Sequence, residues 1–518
     1  MPNGGEPPKD NYRWWVLVTV VFGAFASILD STIVNTALPR IQHDFGADLH
    51  LASYVATGYI LAAGVVVPAS GFLANRFGIK RVYTTSLVLF TLGSALCGAA
   101  PNIHLLIAAR VLQGAGGAAL FPLGFALLFS VFSNEERGKA NGIFGIPVLA
   151  APALGPTLGG YLTEYVDWRW VFYVNLPIGI LGVVMCLRIL RKSPMRANLR
   201  FDLPGFVLAS SGLGLLLFGL SNLAYDGWNS TSTVSGPIVV SVLLLVGFVV
   251  EALWSKAPLL QLRLYRRRNY TLGTLIILVG TVGLFGPGFL LPQYLQGLRD
   301  QTPFAAGLLL LWGGIGAVGG SVASGQLYNR LGPKLLVLVG LIILTITSLL
   351  LTLWTTLDSE LNLLIPIMLV RGFGLPLMLQ SVNTMALDGI RGPELPDATT
   401  LSVVTRNVIG SLSIALLTNY LYDRAATHAR DLCRTACGHI GPIAVGGVPG
   451  SAMPAIIRQA VANAYQDTYV IVTILVLPAF LLAWQLRKPA WSLGGRGAGA
   501  GPAENATGAE QEAPSPAG

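Results

Sequence analysis

"GFLANRFGIK" (71–80) and "GQLYNRLGPK" (325–334) share Gly, Leu, Asn, Arg, Gly and Lys in register, 254 residues apart. Each sits between two long apolar runs. A short, basic, glycine-punctuated segment in that position reads as a tight loop at a membrane surface. Its return in the same register predicts two related groups of helices in one chain.

The surroundings support that reading. Of 518 residues, 53% are hydrophobic and 11% charged, against about 25% charged in a soluble domain. A membrane span needs about 20 apolar residues. Fourteen such runs are expected, at 14–38, 52–73, 82–100, 104–131, 139–163, 170–190, 203–224, 234–254, 270–295, 304–328, 334–357, 362–387, 397–423 and 467–486. The first run is too long for the apolar core of a signal peptide and leads directly into further runs. The two loop copies follow runs 2 and 10. Two six-helix groups alone would set them six helices apart, not eight. The expected chain is therefore an all-α polytopic membrane protein. It has a six-helix half over 14–190, a two-helix insert over 203–254 and a second six-helix half over 270–486. Residues 1–13, an outside loop at 424–466 and a disordered tail from 487 complete it. Parallel repeats of this kind occur in transporters.

Charge gives the expected orientation. With a cytoplasmic N-terminus, inside segments hold 23 Lys and Arg and outside segments hold 7. Cytoplasmic loops are enriched in these residues. Fourteen spans return the C-terminus to the cytoplasm. The net charge of +9 is thus an orientation signal and a set of contacts to lipid headgroups. No basic stripe with interleaved aromatics lies outside the helices, which argues against nucleic acid.

Arg110, Arg371 and Arg406 are different, because they fall inside runs, as does Asp30. A charge at the bilayer centre costs several kcal/mol and faces a partner or a cavity. Asp30 lies about eight residues from the outer end of run 1. Arg110 lies about six from the outer end of run 4, which runs the other way. At 1.5 Å per residue both sit roughly 10 Å below the outer surface. Depth alone therefore makes them candidate partners. Gln113 follows Arg110 by three and shares its face, so it joins the candidate cavity. Asn35, five residues past Asp30, is off that face and is read either as cavity lining or as a backbone cap.

"LDSTIVNTALP" (29–39), "GFLANRFGIKR" (71–81), "RVLQGAGGA" (110–118), "GPTLGG" (155–160) and "DWRWVFYVNLPIG" (167–179) occur in that order. Together they resemble the motifs of the major facilitator superfamily, and within it the fourteen-helix drug:proton antiporters. The resemblance spans roughly 14–486. It implies a plasma-membrane antiporter in which Asp30 and Arg110 form the proton-coupling pair. It also implies that Gly71, Asn75, Arg76, Gly78, Lys80 and Arg81 gate the conformational change. Gly155, Pro156, Gly159 and Gly160 would do so from the fifth helix, as a motif associated with exporters. Two positions depart from the pattern. The family loop usually carries an acid where Asn75 stands, an acid thought to lock one conformation, and the second copy has Asn329. The fifth helix has Ala151 in place of a usual glycine.

Chemistry independent of the resemblance completes the expectation. A carboxyl reached from one side at a time can bind a proton outside and release it inside. Changing its distance from Arg110 would change its hold on that proton. Substrate competing for either group would couple the two flows. Pro147, Pro152 and Pro156 predict a kinked fifth helix, and glycines let helices approach closely. "WRWVFYVN" is read as an aromatic belt. Three arginines against one acid inside the runs predict a neutral or anionic substrate, with Arg371 and Arg406 in its cavity; the alternative is that they bind backbone carbonyls or reach the interface. "GIGAVG" (314–319) lies in an apolar run and is no dinucleotide site. No GxxxxGK[ST] occurs, so no nucleotide drives the chain. No HExxH occurs, and neither an enzyme, a cofactor nor a metal is expected. Cys433 and Cys437, near His428 and His439, form a local disulfide, idle thiols or, less simply, a metal site of unfamiliar spacing. The expected activity is proton-driven export of a small lipophilic drug, antibiotic or toxic metabolite. An importer, a facilitator and a membrane sensor are the alternatives.

Overall fold

The computed structural model describes residues 10–192, 195, 199–255, 258–436 and 454–486. Among them there is no strand. The first group comprises α1 (Asp10–Phe45), α2 (Leu49–Val66), α3 (Ser70–Phe77), α4 (Ile79–Gly98), α5 (Ile103–Gly117), α6 (Leu120–Val131), α7 (Asn134–Tyr165), α8 (Trp170–Tyr173) and α9 (Asn175–Ile189). α10 (Leu203–Asp226) and α11 (Gly236–Trp254) follow. The last group is α12 (Arg268–Gln293), α13 (Pro303–Leu331), α14 (Pro333–Trp354), α15 (Leu364–Ala386), α16 (Glu394–Ala436), α17 (Ala455–Val476) and α18 (Pro478–Trp484).

Twelve stretches among the described residues are long and apolar enough to cross a membrane. The expected spans outside that dozen, 82–100 and 270–295, are helical too and pack among the others as α4 and α12. One expectation changes. The supposed loop at 424–466 is helical at both ends, because α16 runs on to Ala436 and α17 begins at Ala455. Arg424 and His428 on α16 both reach Asp467 on α17, at 2.7 and 2.9 Å, and tie these extensions together. Cys437, His439, the Cys433 side chain and the tail from 487 lie outside the described residues.

Local chemistry sets the helix ends. Asp48, Asn102 and Thr302 accept hydrogen bonds from the backbone N–H three residues on, which satisfies otherwise orphaned donors at the starts of α2, α5 and α13. Pro68 interrupts the second run with a turn of 3₁₀ helix between α2 and α3. The repeated loops share one device. Gly78 and Gly332 close α3 and α13 at φ +88° and +81°, a conformation that favours glycine. Lys80 then donates to the carbonyls of Leu187 and Leu190 at the end of α9, and Lys334 to that of Trp484 at the end of α18. Both lysines complement the negative end of a helix. The sequence repeat is thus also a repeat of contacts.

α7 packs against α13 along its length. A methyl group on Gly142 would lie 2.8 Å from the Gly325 Cα, so only paired glycines allow this approach. α7 runs unbroken through its three internal prolines. α10 lies against α2, α11 and α16, with Ser210 donating to the Val65 carbonyl at 2.7 Å. On α11, Val239, Val242, Leu243, Val246 and Val250 are exposed along one face. That face is suited to lipid rather than water.

Hydrogen bonds between the two groups fall at one end of the molecule, the end that carries Lys80, Arg137 and Lys334. Ser70 pairs with Thr400 at 2.9 Å. Asn141 donates to the Gln380 carbonyl at 3.0 Å and to Thr384 at 2.9 Å. Arg137 reaches the Leu387 carbonyl at 3.3 Å. Among the described residues no side-chain hydrogen bond was found that joins the groups at the opposite end. The molecule is closed at its basic end.

Candidate functional site

Asp30 on α1 and Arg110 on α5 are 0% and 1% exposed, and their charged atoms are 2.5 Å apart. Such a pair, cut off from water, persists only if its remaining polar atoms are also satisfied. Here they are. The Asp30 carboxylate also accepts from Gln113 Nε2 at 2.8 Å and from Asn175 Nδ2 at 2.7 Å. Arg110 donates to the Val55 carbonyl on α2 at 2.8 Å and to Gln113 Oε1 at 2.6 Å. Gln113 in turn donates to Ser94 on α4 at 2.5 Å. The guanidinium lies 4.5 Å from the centre of the Tyr59 ring and 5.6 Å from that of Phe172, within reach of the rings' negative faces. Hydrogen bonds around this pair therefore tie together five helices of the first group, α1, α2, α4, α5 and α9.

Sequence reasoning brought together Asp30, Arg110 and Gln113, and the structure places them in contact. It missed Asn175, Ser94 and Tyr59. The available signal was the polar Asn that closes "WRWVFYVN" at the start of an apolar helix. Asn175 Oδ1 is buried and has no hydrogen-bond partner. Asn35 stands apart: it is exposed, on a different face of α1 from Asp30.

Arg371 on α15 occupies the place in the second group that Arg110 has in the first, without an acid. It donates to Ser348 at 2.9 Å, to Thr347 at 3.2 Å and to the carbonyls of Leu344 and Gly283. Proline at 287 explains the last partner. It has no N–H, so the Gly283 carbonyl four residues earlier in α12 lacks its usual helical donor. A freed backbone oxygen accepts from Arg371 where Arg110 has a carboxylate, but it brings no opposite charge. Arg371 is 6% exposed, and its hydrogen bonds are to its own helical group rather than to a cavity. Arg406 on α16 differs again. It is half-buried, and its guanidinium lies 4.5 Å from the Phe121 ring centre on α6. It makes no hydrogen bond or ion pair with a described residue.

The loop residues reach across the groups. Asn75 donates to Asp397 Oδ1 and to the Pro393 carbonyl, both at 3.1 Å, at the start of α16. Asn329 donates to the Glu135 carbonyl at the start of α7, at 2.7 Å. Asn rather than an acid suits both places, because each needs a donor. Gly71 lies against Asp397, where a methyl group would come within 2.9 Å of Oδ1. Arg76 donates to the Leu199 carbonyl at 2.6 Å, and Arg81 lies near Met195. On α7, a methyl on Gly155 would lie 2.1 Å from Thr32 Oγ1, and one on Gly159 would lie 2.6 Å from the Ile33 carbonyl. Both contacts are one turn from Asp30 on α1. Gly160 faces Phe304 on α13, and Gly307 packs on Pro156 and Thr157. α7 is wedged between the helix that carries Asp30 and the second group. Among the described residues, no group of three or more His, Cys, Asp or Glu could hold a metal ion.

Known proteins give this arrangement a context. The Major Facilitator Superfamily profile matches residues 20–414. The chain is 31% identical over 480 residues to a multidrug resistance protein B homolog of Mycobacterium tuberculosis, covering 90% of this chain and 89% of that one. It is 33% identical over 413 residues to the MFS-type transporter YhcA of Bacillus subtilis, covering 80% and 77%. The crystal structure of the human organic anion transporter MFSD10 shares the fold, with TM-score 0.57, 14% identity and coverage of 91% of this chain and all of that one. With a matching profile over most of its length, relatives above 30% identity and a shared helical architecture, the chain is a multi-span membrane transporter, not an enzyme, and belongs to the major facilitator superfamily.

Proposed function

We propose that the chain is a proton-driven antiporter that exports a small lipophilic compound across the plasma membrane by alternating access. In this reading fourteen spans form two six-helix halves around the α10–α11 insert, both termini are cytoplasmic, and the basic end is the inner end. The arrangement described is then open toward the outside. Lipid headgroups contact the basic loops, and protons and substrate are the two exchanged species.

The observation that carries the reading is the buried Asp30–Arg110 pair with its two amide partners. Arg110, Gln113 and Asn175 all donate to this one carboxylate. Substrate that draws Arg110 away, or a rotation of α5 against α1, would leave Asp30 ready to accept a proton from the outer side. Asn175 has its free Oδ1 beside the same carboxyl, so its amide can turn to accept from the protonated form. The glycines of α7 at Thr32 and Ile33 link this event to the interface with α13. One charge moving inward across 100 mV supplies about 2.3 kcal/mol. Relatives named for multidrug resistance support a drug-like substrate.

The test uses inside-out vesicles with an acid interior and a panel of neutral, anionic and cationic compounds. Some compound is expected to dissipate the pH gradient with the wild-type protein and not with Asp30→Asn. Substrate movement that is insensitive to Asp30→Asn would instead mark a facilitator.

A further inference from the structure

Of the three arginines singled out deep inside apolar runs, Arg110 faces a carboxylate and Arg371 faces carbonyls and hydroxyls. Arg406 lies over the Phe121 ring and makes no hydrogen bond or ion pair with a described residue. It lines a cleft with Phe121, Phe125, Asn383, Thr399 and Ser402, which come from both halves. Arg406 is half-buried and has no hydrogen-bond acceptor among the described residues, so beyond its cation–π contact its donors remain for a ligand.

The geometry points to Arg406 as the recognition site for a planar aromatic monoanion, with Phe121 covering it while the basic end is shut. The inference rests on the export reading above and names the substrate class of that transporter. A guanidinium presents a planar fork of donors that matches a carboxylate in two parallel hydrogen bonds. Phe121 and Phe125 offer ring faces and edges to an aromatic body. Thr399 and Ser402 already bond within the second group, Thr399 to the Leu395 carbonyl and Ser402 to Tyr270. They leave Arg406 as the charged anchor. One anchor without a second cation selects a single negative charge, and a cationic compound is repelled. The cover follows from connectivity. Phe121 belongs to α6 in the first group and Arg406 to α16 in the second. Parting the groups at the basic end lifts the ring from the guanidinium and exposes it to compounds from that side.

The experiment measures equilibrium binding of 2-naphthoate, its methyl ester and 2-naphthyltrimethylammonium to the purified full chain in lipid nanodiscs. Wild type is expected to bind naphthoate at least tenfold more tightly than the ester, and the ammonium compound most weakly. R406Q is expected to weaken naphthoate at least tenfold and the ester less than twofold, so the ester doubles as a folding control. R406K, which keeps the charge and loses the fork, is expected to fall between. Equal weakening of acid and ester in R406Q, no weakening of either, or no wild-type preference for the acid would each overturn the proposal. Vesicle transport with Asp30→Asn separates the two readings. Coupling that depends on Asp30 without charge selection at Arg406 sinks only this inference. Arg406-dependent naphthoate binding with Asp30-independent transport sinks only proton coupling.

Discussion

Replacing Asn75 tests whether the repeated loop holds the basic end shut. Its amide donates two hydrogen bonds across the groups, one to the neutral Pro393 carbonyl and one to the Asp397 carboxylate, both at 3.1 Å. A hydrogen bond to a neutral acceptor contributes about 0.5–1.5 kcal/mol net and one to a charged acceptor about 1.5–3. Asn75→Leu keeps the size and removes both. The closed arrangement should lose about 2–4 kcal/mol relative to the opened one, in which neither contact exists. At about 1.4 kcal/mol per decade, that is a roughly 30- to 1,000-fold shift toward opening. A cysteine at position 403 reports it, since Val403 is buried in the cleft at the closed end. In a background without native cysteines, its alkylation by an impermeant maleimide from the basic side should accelerate in proportion to the open population. Asn75→Asp should accelerate it at least as much, because a second carboxylate then faces Asp397. The exchanged pair Asn75→Asp with Asp397→Asn places a donor opposite an acceptor again and should slow it toward the wild-type rate. An alkylation rate unchanged in Asn75→Leu, or an exchanged pair no slower than Asn75→Asp alone, would refute the reasoning.

Three further outcomes follow from the same contacts. Asn175→Leu removes one donor from the Asp30 carboxylate, about 1.5–3 kcal/mol; gradient dissipation per substrate exported should fall at least tenfold while substrate affinity stays within twofold, read in vesicles and by binding. Gly159→Ala places a methyl 2.6 Å from the Ile33 carbonyl, so α1 must shift at an overpacking cost of about 1–3 kcal/mol; the melting temperature should drop by several degrees, and an unchanged melt would show that the approach of α7 to α1 is soft. Arg371→Gln leaves the Gly283 carbonyl buried without its partner, about 1–3 kcal/mol; thermal stability should fall while the preference between naphthoate and its ester stays as in wild type, and a changed preference would return Arg371 to the substrate cavity.

Much of the site was legible because depth in a membrane can be read from sequence. Helix rise and run boundaries set Asp30 and Arg110 at one level, and the cost of unpaired charge there makes them partners. Helix periodicity kept Gln113 with them and Asn35 away. The repeat at 71–80 and 325–334 located two equivalent surface loops, and its glycines marked where the chain turns with positive φ. Asn75 was harder to read. Without the usual acid its role looked doubtful, whereas its acceptor, Asp397, stands 322 residues further along the chain. An amide is polar enough to be either donor or acceptor, and only the partner decides which. The two remaining arginines looked alike for a similar reason: composition counts charge but does not locate acceptors that belong to the backbone.

What must be buried, at what depth and with which groups could be read along the chain: the apolar runs, the rare ionised residues within them, and the repeated basic loops that fix the turns. These follow from the cost of charge and of bare backbone in hydrocarbon, which acts residue by residue. The tertiary structure alone decided that Asn175 completes the Asp30 network, that the carbonyl freed by Pro287 holds Arg371, that Arg406 rests on Phe121, and that the basic end is the closed one. Each of those depends on the rotation and approach of helices far apart in the chain, set by glycine contacts and side-chain packing that no local pattern encodes.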